Sequence, residues 1–221
     1  MMGFNSSFII LKPDGVRALK YEELSSVLSN FGISIRKSRP FNFNTSIIQF
    51  LWPHRIEQTI SSRLMSCILQ SDYSYLIDIY TIENINIPLA NHVNEIKGGC
   101  FPGKRKKESI RGLLNSGYFH FNYIHAPDSH GDMLKEYIRL ENECVKNDTI
   151  KRIKTIGKPF SIEESKLKIE DLLPSSPVKL KIRKNKSLNN DDLLYLLNFN
   201  YSRQNLDIYY LINSHLNRKD F

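Results

Sequence analysis

Tyr73-Ser-Tyr-Leu-Ile-Asp-Ile-Tyr80 is the stretch from which the rest of the chain takes its order. Aromatic and β-branched side chains dominate it, the composition that suits a pleated, half-buried surface. It is the strongest strand signal present, and Tyr73, Tyr75 and Tyr80 read as sheet packing rather than as a platform for a base. Toward the N-terminus lie two helical stretches, Thr45–Leu51 and Ile56–Leu69, divided by Pro53. Before them, Gly32–Phe43 alternates Ile33 and Ile35 against Ser34 and Arg36, as a half-buried strand does. Leu24, Val27, Leu28 and Phe31 recur at helical spacing and Gly32 follows as a stop signal. The short apolar run Ser7–Leu11 then predicts a buried first strand that ends at Lys12-Pro13-Asp14-Gly15.

Outward in the other direction, Glu83–Lys107 is irregular, broken by Pro88, Gly98, Gly99, Pro102 and Gly103. A loop of that length, with at most short helices, is usually functional. Tyr118–Ile124 predicts a last strand. Asp128 or Ser129 then caps a helix that carries Met133, Leu134, Tyr137 and Ile138 on one face. The expected fold is α+β: a ferredoxin-like βαββαβ core, a four-stranded antiparallel sheet with helices packed on one face, plus a C-terminal α/β extension. The division falls at residues 1–147 and 148–221. In the second part Pro159, Pro174 and Pro177 mark linkers. Val178, Leu180 and Ile182 alternate with Lys179, Lys181 and Arg183 as a strand with one basic face would, and Asn189–Asn198 and Arg203–Leu216 read as helices.

Composition excludes several classes. In 221 residues the hydrophobic fraction is 41% and the charged fraction 24%, which is globular rather than disordered. No run of 18 uncharged apolar residues occurs, so no membrane partner is expected, and the N-terminal stretch lacks the basic start and long apolar core of a signal peptide. Cys67, Cys100 and Cys144 are far apart and odd in number, neither a disulfide framework nor a metal cluster, and the expected location is cytoplasmic. The net charge of +8 is uneven: 17 basic and 15 acidic residues precede the cut after Asp148, 14 and 8 follow it. Such a balance suits a polyanion, either nucleotide phosphates or, through the tail, a nucleic acid; solubility alone is the competing account.

Chemistry-bearing residues recur at the ends of the predicted elements. They are Lys12-Pro13-Asp14-Gly15, Ser109-Ile110-Arg111-Gly112, Asn122-Tyr-Ile-His125-Ala-Pro-Asp128-Ser129, and Glu136 in the following helix. Gly98–Lys104 lacks the Gly-Lys-Ser/Thr order of a P-loop. A lone histidine at a strand end is usually structural, a lone Lys12 or Arg111 salt-bridged, a lone Glu136 an exposed helix residue. In this order and spacing, over roughly residues 6–145, they resemble the nucleoside diphosphate kinase family.

The resemblance implies a phosphotransferase that moves a γ-phosphoryl group between nucleotides through a phospho-His125 intermediate. Lys12, Arg111 and a Mg²⁺ ion carried with the nucleotide would neutralise the phosphates, Asn122 would hydrogen-bond the sugar or phosphate end, and Glu136 would orient the histidine. Nucleoside di- and triphosphates are the implied partners, and the family's habit of forming tetramers or hexamers implies self-association. The chain also departs from the pattern. Asn94 and Cys100 stand where the family has a phosphate-binding arginine and threonine, with Lys97 or the Lys104–Lys107 run as the substitute, the run reading first as a solvated loop. Pro127 replaces a relay serine, which leaves a direct contact at most. The base-clamping phenylalanine falls near Ser61, with Trp52 the nearest aromatic. Two alternatives stand beside the enzyme: a nucleotide-binding relative acting as sensor or scaffold, and a nucleic-acid-associated protein that uses the basic tail.

Overall fold

Ser6–Leu11 forms β1, and all six residues are buried. In the computed structural model, which describes residues 3–53, 59–116, 118–146, 162–200 and 205–216, β1 is a central strand. It pairs antiparallel with β3 (Ser74–Tyr80), Ile9 opposite Ile77, and on its other side with β4 (Ile124–His125), Ile10 opposite His125. The edge strand β2 (Ser34–Phe41) pairs with β3 and has a bulge between Ile35 and Lys37. The sheet order is therefore β2-β3-β1-β4, antiparallel throughout.

Because strand side chains alternate, β1 feeds two cores. Ile9 and Leu11 join Ile77 and Ile79 against α2 (Tyr21–Ser29) and α5 (Leu89–Ile96). Phe8 and Ile10 face α3 (Thr45–Leu51), α4 (Ile60–Gln70) and α7 (His130–Lys146). Helices thus cover both faces of the sheet rather than one. Short helices α1 (Pro13–Arg17) and α6 (Ile110–Leu113) follow β1 and the long loop. The predicted stop at Gly32 is a Schellman closure: φ is +68°, the Gly32 N–H donates to Ser29 O and the Ile33 N–H to Leu28 O, both at 3.0 Å.

Two expectations are corrected. Tyr118–Ile124 is not a strand; only Ile124–His125 enters the sheet. Tyr123 sits at φ +63° and Asn122 turns its side-chain amide onto Phe119 O at 2.7 Å, so the ladder cannot extend backward. The second concerns Val178–Ile182, which lies in a helix, α9 (Pro177–Arg183), not a strand. Ser176 caps it through its hydroxyl, with Pro177 at the first helical position, and these local start signals outweigh an alternation only three apolar residues long. Val178 and Ile182, four apart, are buried, while Leu180 is exposed. Two residues of the expected basic strand face are engaged locally, Lys179 Nζ donating to Leu173 O at 2.8 Å and Lys181 pairing with Asp192 at 2.7 Å, while Arg183 is exposed.

The described part of the extension is helical: α8 (Ile162–Leu172), α9, α10 (Asn190–Asn200) and α11 (Leu206–Leu216). Its apolar core is continuous with the N-terminal part, because Leu64 and Ile68 of α4 and Phe121 lie in the same buried cluster as Ile169, Leu193, Ile208 and Ile212. Polar ties cross the same boundary, with Arg63 on Asn198 at 3.0 Å and Arg17 near Asp207 at 3.9 Å.

Candidate active site

The turn after β1 builds the first wall. Asp14 is fully buried; its Oδ2 accepts the Tyr123 N–H at 2.9 Å, and the Lys12 N–H donates to Tyr123 O at 2.8 Å. The Lys-Pro-Asp segment thereby holds Tyr123 in a left-handed conformation that a tyrosine would not otherwise keep, immediately before Ile124 and His125. Burial pushes the Asp14 carboxyl above the usual carboxylate range, against the pull of Lys12 3.7 Å away. Burial pushes the Tyr123 phenol to about 12 as well.

His125 is placed by β4 and held by α7. Ser129 caps that helix, its Oγ accepting the Asp132 N–H at 3.1 Å, and the second turn returns Glu136 to the histidine. Glu136 Oε2 lies 3.0 Å from His125 Nε2, and neither side chain is more than 14% exposed. The contact is direct, as Pro127 requires. A carboxylate accepts a hydrogen bond, so Nε2 carries a proton, and in the neutral imidazole Nδ1 is the nitrogen with the lone pair. Trp52 sets its ring edge-on to the imidazole, 5.0 Å between centroids.

A cavity of about 280 Å³ opens beside this pair. Lys12, Arg111, Asn122, Cys100, Trp52 and His125 all line it; Asn94, on α5, does not. The cations are braced. Lys12 Nζ donates to His120 O at 2.9 Å, and the Arg111 guanidinium donates to Gly98 O at 2.6 Å and Ile124 O at 2.8 Å, with Cys100 Sγ at 3.5 Å. Burial lowers the Arg111 pKa, with partial relief from the Cys100 thiol. Among the basic loop residues, Arg105 is a clamp for its own loop, bonded to Gly99 O, Cys100 O and Ser116; burial and then Arg111 lower it to about 10. Lys104, Lys106 and Lys107 are exposed and do not line the cavity.

Lys97 is the substitute cation that does line it, bridging Ala126 O at 3.0 Å and Asp128 at 2.5 Å. Burial raises the Asp128 carboxyl, but the Lys97 hydrogen bond and charge prevail and hold it low. His120 reaches the same wall from the segment before β4. It is buried, lines the cavity, and is tied through Nε2 to Ser61 Oγ at 2.8 Å. Phe119 lines the wall beside it, stacked on Phe101 at 4.6 Å. No local pattern marks either residue, since both reach the site from the segment expected to be a strand.

Gly98 gives this wall its shape. It sits at φ +82°, and a Cβ there would come within 2.2 Å of Ser109 Oγ, the cap of α6. Gly98→Ala is expected to cost about 1–3 kcal/mol in a denaturant titration, from the left-handed backbone and displacement of the cap.

A β2-β3-β1-β4 sheet with helices on both faces, and a polar cavity at the adjoining ends of β1 and β4, defines an α+β chain of the nucleoside diphosphate kinase type. The family model for nucleoside diphosphate kinase matches residues 5–140, and the chain belongs to that family, with about 80 residues beyond the match. Among solved structures it is similar to the Aquifex aeolicus nucleoside diphosphate kinase, at 20% identity and TM-score 0.50, over 62% of this chain and 94% of that one. The Halobacterium salinarum enzyme, solved in complex with CDP, is 15% identical with TM-score 0.51, over 62% of this chain and 86% of its own. The Encephalitozoon cuniculi enzyme is 17% identical with TM-score 0.50, over 69% and 95%. No curated protein matches the chain. Among the described residues no helix is long and apolar enough to cross a membrane.

Proposed function

We propose that the chain is a nucleoside diphosphate kinase-like phosphotransferase that works through phospho-His125. The observation that carries this reading is the 3.0 Å contact between His125 Nε2 and Glu136, which leaves Nδ1 as the nucleophile in a cavity lined by Lys12, Lys97 and Arg111. In the first half-reaction Nδ1 attacks the γ-phosphorus of a nucleoside triphosphate. The Nδ1–P bond forms, the bond from phosphorus to the bridging oxygen breaks, and the diphosphate leaves with the electron pair. Glu136 stabilises the positive charge this puts on the ring through the Nε2 proton. A terminal oxygen of a second nucleoside diphosphate then attacks the phosphorus, the N–P bond breaks, and neutral His125 is restored. Lys12 and Arg111 supply fixed positive potential around the phosphates without reorganising, because both are already held by backbone carbonyls, while the Lys97 charge is shared with Asp128.

Magnesium arriving with the nucleotide fits this site. Asp128 is a carboxylate on the cavity wall, and Mg²⁺ commonly takes one or two protein carboxylates and fills its shell with phosphate oxygens and water. Its contribution there is charge neutralisation of the phosphates; among the described residues no cluster forms a site for a metal of the protein's own.

Incubation with γ-radiolabelled ATP and Mg²⁺ tests the reading. Label that is acid-labile, alkali-stable and released by added nucleoside diphosphate is the expected result. The missing phosphate ligands favour one second reading, a nucleotide-binding sensor without turnover: Asn94 is off the cavity wall, and Cys100 stands on it where the family has a threonine. Nucleotide binding with no label would replace the first reading by the second.

A further inference from the structure

The C-terminal extension encloses a cavity of its own, of about 230 Å³, which shares no lining residue with the phosphotransfer site. Ile182 and Leu211 give it an apolar floor, and all its other lining residues are polar or basic. Lys166 comes from α8, Asn185, Lys186 and Ser187 from the turn after α9, and Ser214 and His215 from α11. No carboxylate lines it among the described residues.

We propose that this cavity binds a phosphate-bearing anion. The turn that shapes it is specific. Asn185 adopts φ +52°, the Asn185 N–H donates to Ile182 O at 3.0 Å and the Lys186 N–H to Lys181 O at 2.9 Å, so α9 closes in a Schellman arrangement with asparagine at the left-handed position. That closure turns Lys186 and Ser187 onto the cavity wall opposite α11. Lys166 Nζ braces the turn by donating to Asn185 Oδ1 at 2.7 Å, a neutral acceptor that leaves its positive charge uncompensated by this contact. On α11, His215 Nδ1 lies 3.0 Å from Leu211 O, which fixes the ring as an Nδ1–H donor to that carbonyl.

Two ammonium groups, the Ser187 hydroxyl and the Asn185 amide, with no acid among the described lining residues, favour an anion with several acceptor oxygens over a cation; the Ser214 hydroxyl is engaged with Leu211 O at 2.7 Å. The volume takes a phosphoryl or pyrophosphoryl group. Free phosphates and the phosphate end of a nucleotide share that chemistry.

Equilibrium dialysis with radiolabelled pyrophosphate and with ATP, alongside tryptophan fluorescence, tests the proposal. Trp52 is the only tryptophan and lines the phosphotransfer cavity, so its emission reports that site alone. The native chain is expected to bind two anions, one of which leaves Trp52 unchanged. Lys166→Gln/Lys186→Gln should weaken that silent site at least tenfold and leave the Trp52 titration unaltered. Ser187→Asp, at an exposed position, should do the same by placing a carboxylate in the cavity, with circular dichroism confirming that each variant folds. Filling by pyrophosphate assigns the phosphoryl group alone; filling by ATP only assigns a nucleotide. The proposal is overturned if the native chain binds only the anion that Trp52 reports, or if both variants bind as many as the native chain. Failure of the phosphotransferase reading would look different: no Trp52 response with the silent site intact.

Discussion

His125→Ala should lower the turnover of phosphoryl transfer by about 10⁴ or more and abolish acid-labile labelling, while nucleotide still quenches or shifts Trp52 emission. The variant removes the one nucleophile and nothing that braces the cations, because Lys12 rests on His120 O and Arg111 on Gly98 O and Ile124 O. Glu136→Gln isolates the other half of the pair. An amide can still accept from Nε2–H, so the ring stays in place, but it offers no charge to the imidazolium-like intermediate. The expected loss is about 10–100-fold in turnover with the Michaelis constant little changed. An unchanged rate in His125→Ala would remove the histidine from the chemistry outright.

The largest expected effect on stability comes from Phe121→Ala, at about 3–5 kcal/mol in a denaturant titration. Phe121 is 1% exposed and its ring meets Tyr210 of α11 at 5.1 Å, edge to face. Tyr118, three residues earlier, meets the same Tyr210 at 4.9 Å. Between and beyond them Phe119, His120 and Asn122 line the cavity of the candidate site. The segment that carries three site residues is therefore pinned by the extension, and Phe121→Ala should weaken nucleotide binding as well as stability. Leu193→Ala, in the same core but on α10, is the comparison. It should cost about 2–5 kcal/mol and leave nucleotide affinity unchanged under conditions where the chain stays folded. Equal losses of affinity in both variants would show that the pinning is not specific.

The sheet was legible in the sequence wherever a strand is read from its own side chains. Ser7–Leu11 and Tyr73–Tyr80 carry enough apolar and β-branched residues to declare themselves, and they became β1 and β3 within a residue. Leu24, Val27 and Leu28 showed the buried face of α2 by spacing alone. What failed depended on contacts distant in sequence. Tyr118–Ile124 has a strand's composition, but its aromatic rings are claimed by α11 and its backbone by Asp14, neither of which periodicity can show. The alternation at Val178–Ile182 misled because three apolar residues two apart fit a strand, and positions 178 and 182 fit one helix face equally well. In the site, motif order brought His125, Arg111, Lys12 and Asn122 to one cavity. His120 and Phe119 belong to no motif and became visible only once the segment was folded. Lys97, weighed only as a replacement cation, proved to be on the wall, whereas Asn94, aligned to a lost arginine, did not.

Synthesis runs from one end of the chain to the other, and the shared core makes that direction matter. Residues 5–140, which contain the sheet and the histidine, are synthesised roughly 75–80 residues before α11 is complete at Leu216. At about 5–20 residues per second that interval lasts roughly 4–16 s. Throughout it, Leu64, Ile68 and Phe121 lack the apolar partners that α10 and α11 give them in the folded chain. The nascent chain therefore exposes an apolar strip until those helices pack on it. The last of the described helices, α11, both shields that strip and pins the segment lining the candidate site, so maturation of the site waits on its synthesis.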